Sequence, residues 1–171
     1  MIYEISGKSL PSSFPFATVI NEACSEFHNM PPLFVGAIAW RETLSVMSPE
    51  AARVFVSGDD GHGIFQLTSS WPDDWQDPRA SCDFAIDQFL ERGIGYWHGL
   101  HGFTGVNLIR LVAATYNAGL GWWYGPGDRR NSGAIGGHME GDVDKYTTDR
   151  YGSGVLTIFQ NLLATGKPTG A

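Results

Sequence analysis

The chain has 171 residues and a formal net charge of −7, from 11 Lys and Arg against 18 Asp and Glu. That is one domain's worth, long enough to bury a core without metals or disulfide staples. The longest charge cluster is Asp128-Arg129-Arg130, which argues against a nucleic-acid-binding face or attraction to an anionic membrane, since both need clustered Lys and Arg. No run of 18 apolar residues exists, so no membrane insertion is expected.

No repeat or linker-like stretch interrupts the chain, and residues 1–171 read as one domain with peripheral tails at 1–13 and 166–171. Val19, Ile20, Ala23, Cys24 and Phe27 recur at steps of three and four, which predicts a helix over 15–28. Pro31 and Pro32 restart the chain. The segment 33–44 is apolar nearly all round until Arg41, the mark of a central, buried helix. Ser48-Pro49-Glu50 is a cap followed by proline at the first helical position, opening a short helix over 49–55. The glycine-rich 57–63 excludes helix, and Ile64 to Leu67 is a short strand or an irregular turn.

Asp77-Pro78 starts a helix running to about 92. The glycines of 93–105 predict a loop. Val106 to Ala118 is another apolar helix, ended by Gly119. Residues 120–145 read as a long loop. Thr147 or Thr148 caps a last helix to about 165, with Val155, Ile158, Phe159, Leu162 and Leu163 as its stripe and Gly166 and Pro168 as its stop. The class is mainly α, with any β content confined to 54–68.

Glu42 is the most informative residue. It ends the most apolar helix, on the i+4 ladder Phe34, Ile38, Glu42. That ladder aims a carboxyl at partly dry surroundings, where desolvation raises its pKa and suits it to general acid catalysis. The other reading is a helix-end glutamate paired with Arg41 or Arg53, or solvated outright. Asp59 and Asp60 follow in a glycine-flanked loop. A second carboxylate across a cleft from a protonated one is the glycosidase arrangement, while Asp in such a loop is also an ordinary turn residue. Asp59-Asp60-Gly61 lacks the alternating acidic ligands of a calcium loop. Trp71, Trp75, Trp97, Trp122, Trp123 and Tyr124 fall in predicted loops or at helix ends, where they either stack on sugar faces or pack the core. His98 and His101 have a superficial metal spacing, but the pair has no partner pair, and no metal is expected. Cys24 and Cys82 lie mid-helix on apolar stripes, as buried reduced thiols rather than nucleophiles.

Three segments in order carry a resemblance. Glu42-Thr43 stands at a helix end. Gly63-Ile64-Phe65-Gln66 follows about two dozen residues later, and Ala114-Thr115-Tyr116-Asn117-Ala118-Gly119 further on. Tyr151 opens the last helix. Over roughly 33–160 the chain resembles the lytic transglycosylases and goose-type lysozymes of glycoside hydrolase family 23. The resemblance implies a two-lobed, lysozyme-like fold with a cleft for peptidoglycan glycan strands. It implies Glu42 as the catalytic acid and base, with Gln66, Tyr116, Asn117 and Tyr151 binding substrate around it. Thr43 stands for the commoner Ser and Phe65 for the commoner Met. Goose-type enzymes carry an acid two residues after the motif glutamine, where this chain has Thr68. Their other acid is matched by Asp59 only if loop length differs, and Asp60 is the weaker candidate.

The expected reaction is cleavage of the β-1,4 bond between N-acetylmuramic acid and N-acetylglucosamine by lytic transglycosylation, with no cofactor. Goose-type hydrolysis with Asp59 as base is the alternative. A non-catalytic glycan-binding module and a cysteine amidase or peptidase are readings of other classes. The protein is expected to be a monomer. The first residues show no basic stretch followed by an apolar one, so no secretory signal is visible. The expected route is therefore synthesis in the cytoplasm, then action on the wall after phage-type release, virion delivery or injection.

Overall fold

The computed structural model describes residues 3–27, 30–68, 70–118 and 150–169. The chain is mainly helical. Helix α1 spans Ala17–Glu26. Helix α2 spans Pro32–Ala39 and runs on as a wider π-type turn over Trp40–Leu44. Helix α3 is Pro49–Val54, with the Ser48 hydroxyl accepting from the Ala51 amide at 3.3 Å, as a cap followed by proline requires. Every residue of α2 is buried, so the all-round apolar segment does form the centre. Helix α1 flanks it.

Helix α4, Pro78–Ala85, is capped by Asp77, whose carboxylate accepts from the Arg79 and Ala80 amides. It does not stop near 92. A π-type turn over Ile86–Leu90, the short helix α5 at Glu91–Ile94 and a second π-type turn over Gly95–Leu100 carry it on through helical backbone. The loop expected at 93–105 is therefore corrected to helix as far as Leu100. Tertiary packing overrides the low helix propensity of glycine here. A Cβ on Gly93 would stand 3.0 Å from Val112 Cγ1, so the bare glycine lets the two helices approach. Trp97 moves with it from loop to helix, and of its two readings the structure shows core packing. Its ring is fully buried, and its indole N–H donates to Thr115 Oγ1 at 2.8 Å, so it is core and not a sugar platform. Trp122, Trp123 and Tyr124 lie outside the described residues, as do Gly119, the expected loop 120–145 and the caps Thr147 and Thr148.

Helices α6, Gly105–Ala118, and α7, Arg150–Thr165, pack along each other and close the core over α2. Gly152 makes the close approach possible, since a Cβ there would stand 2.6 Å from the Arg110 carbonyl oxygen. Gly166 ends α7 with a left-handed φ of 71°, its amide donating to the Leu162 carbonyl at 2.9 Å, the expected glycine stop. Between α3 and α4 the β content reduces to two isolated bridges, Val56 with His62 and His62 with Leu67. Gly63–Phe65 forms a 3₁₀ turn, so the irregular-turn reading holds there.

Within residues 3–13 the chain reaches the core. Ile5 and Leu10 are buried in the core, and the Asn21 side chain pairs with both backbone polar groups of Leu10, at 2.9 and 3.1 Å. Those bonds replace the water that an apolar strap would otherwise lose. Among the described residues no helix is long and apolar enough to cross a membrane.

Candidate active site

Glu42 sits in the π-type turn that ends the α2 segment. Such local widenings recur at functional sites. Phe34 and Ile38, on the same ladder, are fully buried, so the carboxyl emerges where the core meets the surface and is itself partly buried. Tyr151, in the first turn of α7, donates its hydroxyl to Glu42 Oε1. A neutral carboxyl accepts on its carbonyl oxygen, so this bond leaves the acid proton on Oε2. Burial pushes the carboxyl up to about 7, against 4.5 for an ordinary glutamate. Asp59 adds to the rise, and the Tyr151 hydrogen bond and Arg41 restrain it. Among the described residues neither Arg41 nor Arg53 forms an ion pair with Glu42. The Arg53 Nε–H instead donates to the Gln76 carbonyl at 3.2 Å.

Glu42 opens onto a pocket of about 420 Å³, whose walls include Asp59, Gln66, Tyr116 and Asn117. Two hydroxyls fix the far wall. Buried Thr43 donates to the Ile64 carbonyl at 3.0 Å, and Tyr116 donates to the Phe65 carbonyl at 2.5 Å. Consecutive carbonyls of one turn are thus held from α2 and from α6. The next residue, Gln66, is kept in left-handed backbone at φ 48°, a conformation costing a non-glycine residue on the order of 1–2 kcal/mol. Its Nε2 donates to the Gly63 carbonyl at 2.9 Å.

The residues singled out from sequence divide as follows. Glu42, Asp59, Gln66, Tyr116 and Asn117 share the pocket. Tyr151 is buried and its hydroxyl holds the Glu42 carboxyl. Asp60 is not among the residues lining this pocket. Its backbone adopts φ 66°, its exposed carboxylate lies 3.6 Å from His62 Nε2, and its carbonyl accepts from the His62 Nδ1–H at 2.8 Å. His62 in turn stacks on Trp71 at 3.8 Å between ring centroids and meets the edge of Trp75 at 4.8 Å. Those two tryptophans brace the loop behind Asp59. Asp59 accepts from the Ser57 hydroxyl at 2.5 Å.

Val46, Met47, Phe55 and Ser57 also line the pocket, and sequence reasoning passed over all four. Val46 was open to it, since it lies four residues beyond Glu42 and therefore one helical turn along. Cys24 and Cys82 are buried, in α1 and α4. Burial pushes the Cys24 thiol up to about 12 and the Cys82 thiol well above its ordinary value, so neither is a thiolate near neutral pH. His98 Nδ1 bonds to the Phe103 carbonyl at 2.9 Å, and the His101 ring packs at 5.0 Å from Tyr96. Among the described residues no three His, Cys, Asp or Glu side chains gather as a metal site. Compared with family models, with curated proteins and with solved structures, the chain finds no match.

Proposed function

We propose that the protein cleaves peptidoglycan glycan strands at the β-1,4 bond between N-acetylmuramic acid and N-acetylglucosamine, with Glu42 as acid and then base. The observation that carries this reading is Glu42 itself. It is a partly buried carboxyl held by a tyrosine, facing a pocket of sugar size and pushed up to about 7. A carboxyl poised near neutral pH can both give and take a proton. The motif resemblance supplies the substrate class. In keeping with it, the helical arrangement is read as a two-lobed, lysozyme-like fold, and the Glu42 pocket as part of the cleft.

In the proposed reaction the Oε2 proton passes to the glycosidic oxygen as the bond to the anomeric carbon breaks. The N-acetyl carbonyl oxygen of the muramic residue stabilises the positive charge left on that carbon. Glu42, now ionised, takes the proton of the C6 hydroxyl. The C6 oxygen then bonds to the anomeric carbon and the N-acetyl group is released. No water enters, and Glu42 ends protonated as it began. Asp59 in the pocket wall is the observation favouring a second reading, hydrolysis by a water that Asp59 activates. The protein is proposed to act as a monomer, without a cofactor, on walls reached by phage-type release, virion delivery or injection.

Dye release from purified cell walls, comparing wild type with Glu42→Gln, tests the reading. Binding without solubilisation by the wild type replaces it with a glycan-binding module. Cys24→Ser and Cys82→Ser are expected to stay lytic, because the reaction uses no thiol. Loss of lysis in either variant, with the fold intact, would revive a cysteine enzyme. Tyr116→Phe removes the donor to the Phe65 carbonyl and is expected to cost about 1–2 kcal/mol of stability. With Gln66 loosened, lysis should also fall several-fold under conditions where the variant is fully folded. A lowered melting point with an unchanged rate makes the Tyr116 hydroxyl purely structural.

A further inference from the structure

We propose that Arg41, seated on the ring of Tyr151 where Gly154 leaves the surface of α7 clear, is a positioning residue for the Glu42 carboxyl. The proposal rests on the reading of Glu42 as the acid. The Arg41 guanidinium carbon lies 5.6 Å from the Tyr151 ring centroid. A Cβ on Gly154 would stand 3.7 Å from that carbon and 3.7 Å from Nε. Tyr151 and Gly154 are three residues apart on α7 and so share one face. Any longer side chain at 154 would occupy the space the guanidinium fills.

Arg41 and Glu42 are neighbours in one turn, and both grip the same tyrosine. Arg41 holds its ring and Glu42 accepts its hydroxyl. The guanidinium over the ring restricts how far the ring can move, and that keeps the hydroxyl on Oε1 and the acid proton on Oε2. A planar guanidinium suits this contact, and a lysine ammonium lacks the flat face. The nearby positive charge also favours Glu42 in its ionised form. Glu42 must be ionised after it has protonated the leaving oxygen and before it takes the second proton. Arg41 thereby balances the two halves of the reaction.

Among the described residues, the other titratable groups facing Glu42 are Tyr151 from α7, Tyr116 from α6 and Asp59 from the loop. Burial drives both tyrosine hydroxyls well above their ordinary range, so they stay neutral near pH 7. Asp59 acts against Arg41, raising Glu42 where Arg41 lowers it.

The probe is the Glu42 side-chain carboxyl carbon, titrated by NMR in protein labelled with ¹³C-glutamate, with Glu42→Gln assigning the signal. Arg41→Met removes the charge and the cation–ring contact together. Gly154→Leu keeps the arginine and takes its seat. In both, the Glu42 midpoint is expected to rise by about one pH unit, the smaller end of what an adjacent opposite charge does. The alkaline limb of cell-wall lysis should move with it. Arg41→Lys should recover part of the shift. A midpoint that stays at its wild-type value in both Arg41→Met and Gly154→Leu overturns the role of Arg41. Lysis by Glu42→Gln at the wild-type rate is a separate failure, because it removes Glu42 from the chemistry and the proposal with it.

Discussion

Glu42→Gln is expected to lower cell-wall solubilisation by a factor on the order of 10²–10⁴ or more, while helical content and cooperative melting are retained. The amide keeps the shape of the carboxyl and still accepts the Tyr151 hydroxyl on its oxygen, so the pocket stays assembled. It has no proton of suitable acidity to give and no basicity with which to take one back. Stability should respond in a way that depends on pH. Folding raises the Glu42 carboxyl from 4.5 to about 7, so between those values the folded chain holds a proton that the unfolded chain has lost. Wild-type stability therefore falls as pH rises through that window, by about 3 kcal/mol in all. Glu42→Gln removes the dependence. Denaturant melts should show the variant gaining on wild type at pH 8 but not at pH 4. Equal differences at the two pH values would mean that the carboxyl is not buried as described.

Where one residue's neighbours decide its state, the sequence was a good guide. The apolar run of α2 fixed its burial, and the ladder Phe34, Ile38, Glu42 fixed which side chain would surface at its end. The caps at Ser48 and Asp77 and the stop at Gly166 are local chemistry, and each stands where its residue type required. The failures share a cause at longer range. Gly93 and Gly95 argue for loop in isolation, and only the facing Val112 and the Trp97–Thr115 hydrogen bond show why helix wins. Asp59 and Asp60 are indistinguishable as adjacent acids. The His62 ring, braced by Trp71 and Trp75, engages Asp60 and leaves Asp59 to the pocket. The motif placed Tyr151 near the acid, but whether it would face substrate or stand behind the carboxyl depends on how α7 packs against α2. No local pattern in α7 encodes that. The Arg41 seat was invisible for the same reason, since it needs Gly154 to come within reach of Arg41 from more than a hundred residues away.

The released product is expected to be predominantly 1,6-anhydro-muramic, one water lighter than the hydrolytic product and without a reducing end. Hydrolysis needs a base that holds a water opposite the acid, with the two carboxyl groups roughly 6.5–9.5 Å apart in an inverting enzyme. Asp59 is the one acid in the pocket wall besides Glu42 among the described residues. It is solvent-exposed, and its Oδ1 is already occupied by the Ser57 hydroxyl. Thr68, also in the wall, has no basicity at neutral pH. The internal route needs only Glu42 and the substrate's own N-acetyl and C6 hydroxyl groups, both present in every turnover. Asp59→Asn should therefore keep most of the lytic rate. The variant also removes a negative charge that raises Glu42, so its alkaline limb should move to lower pH while the anhydro product persists. Mass spectrometry of the muropeptides released by wild type and by Asp59→Asn separates the routes. Reducing-end products from the wild type, together with a loss of about 10²-fold or more in Asp59→Asn, would establish hydrolysis with Asp59 as the base. The anhydro route would then be excluded.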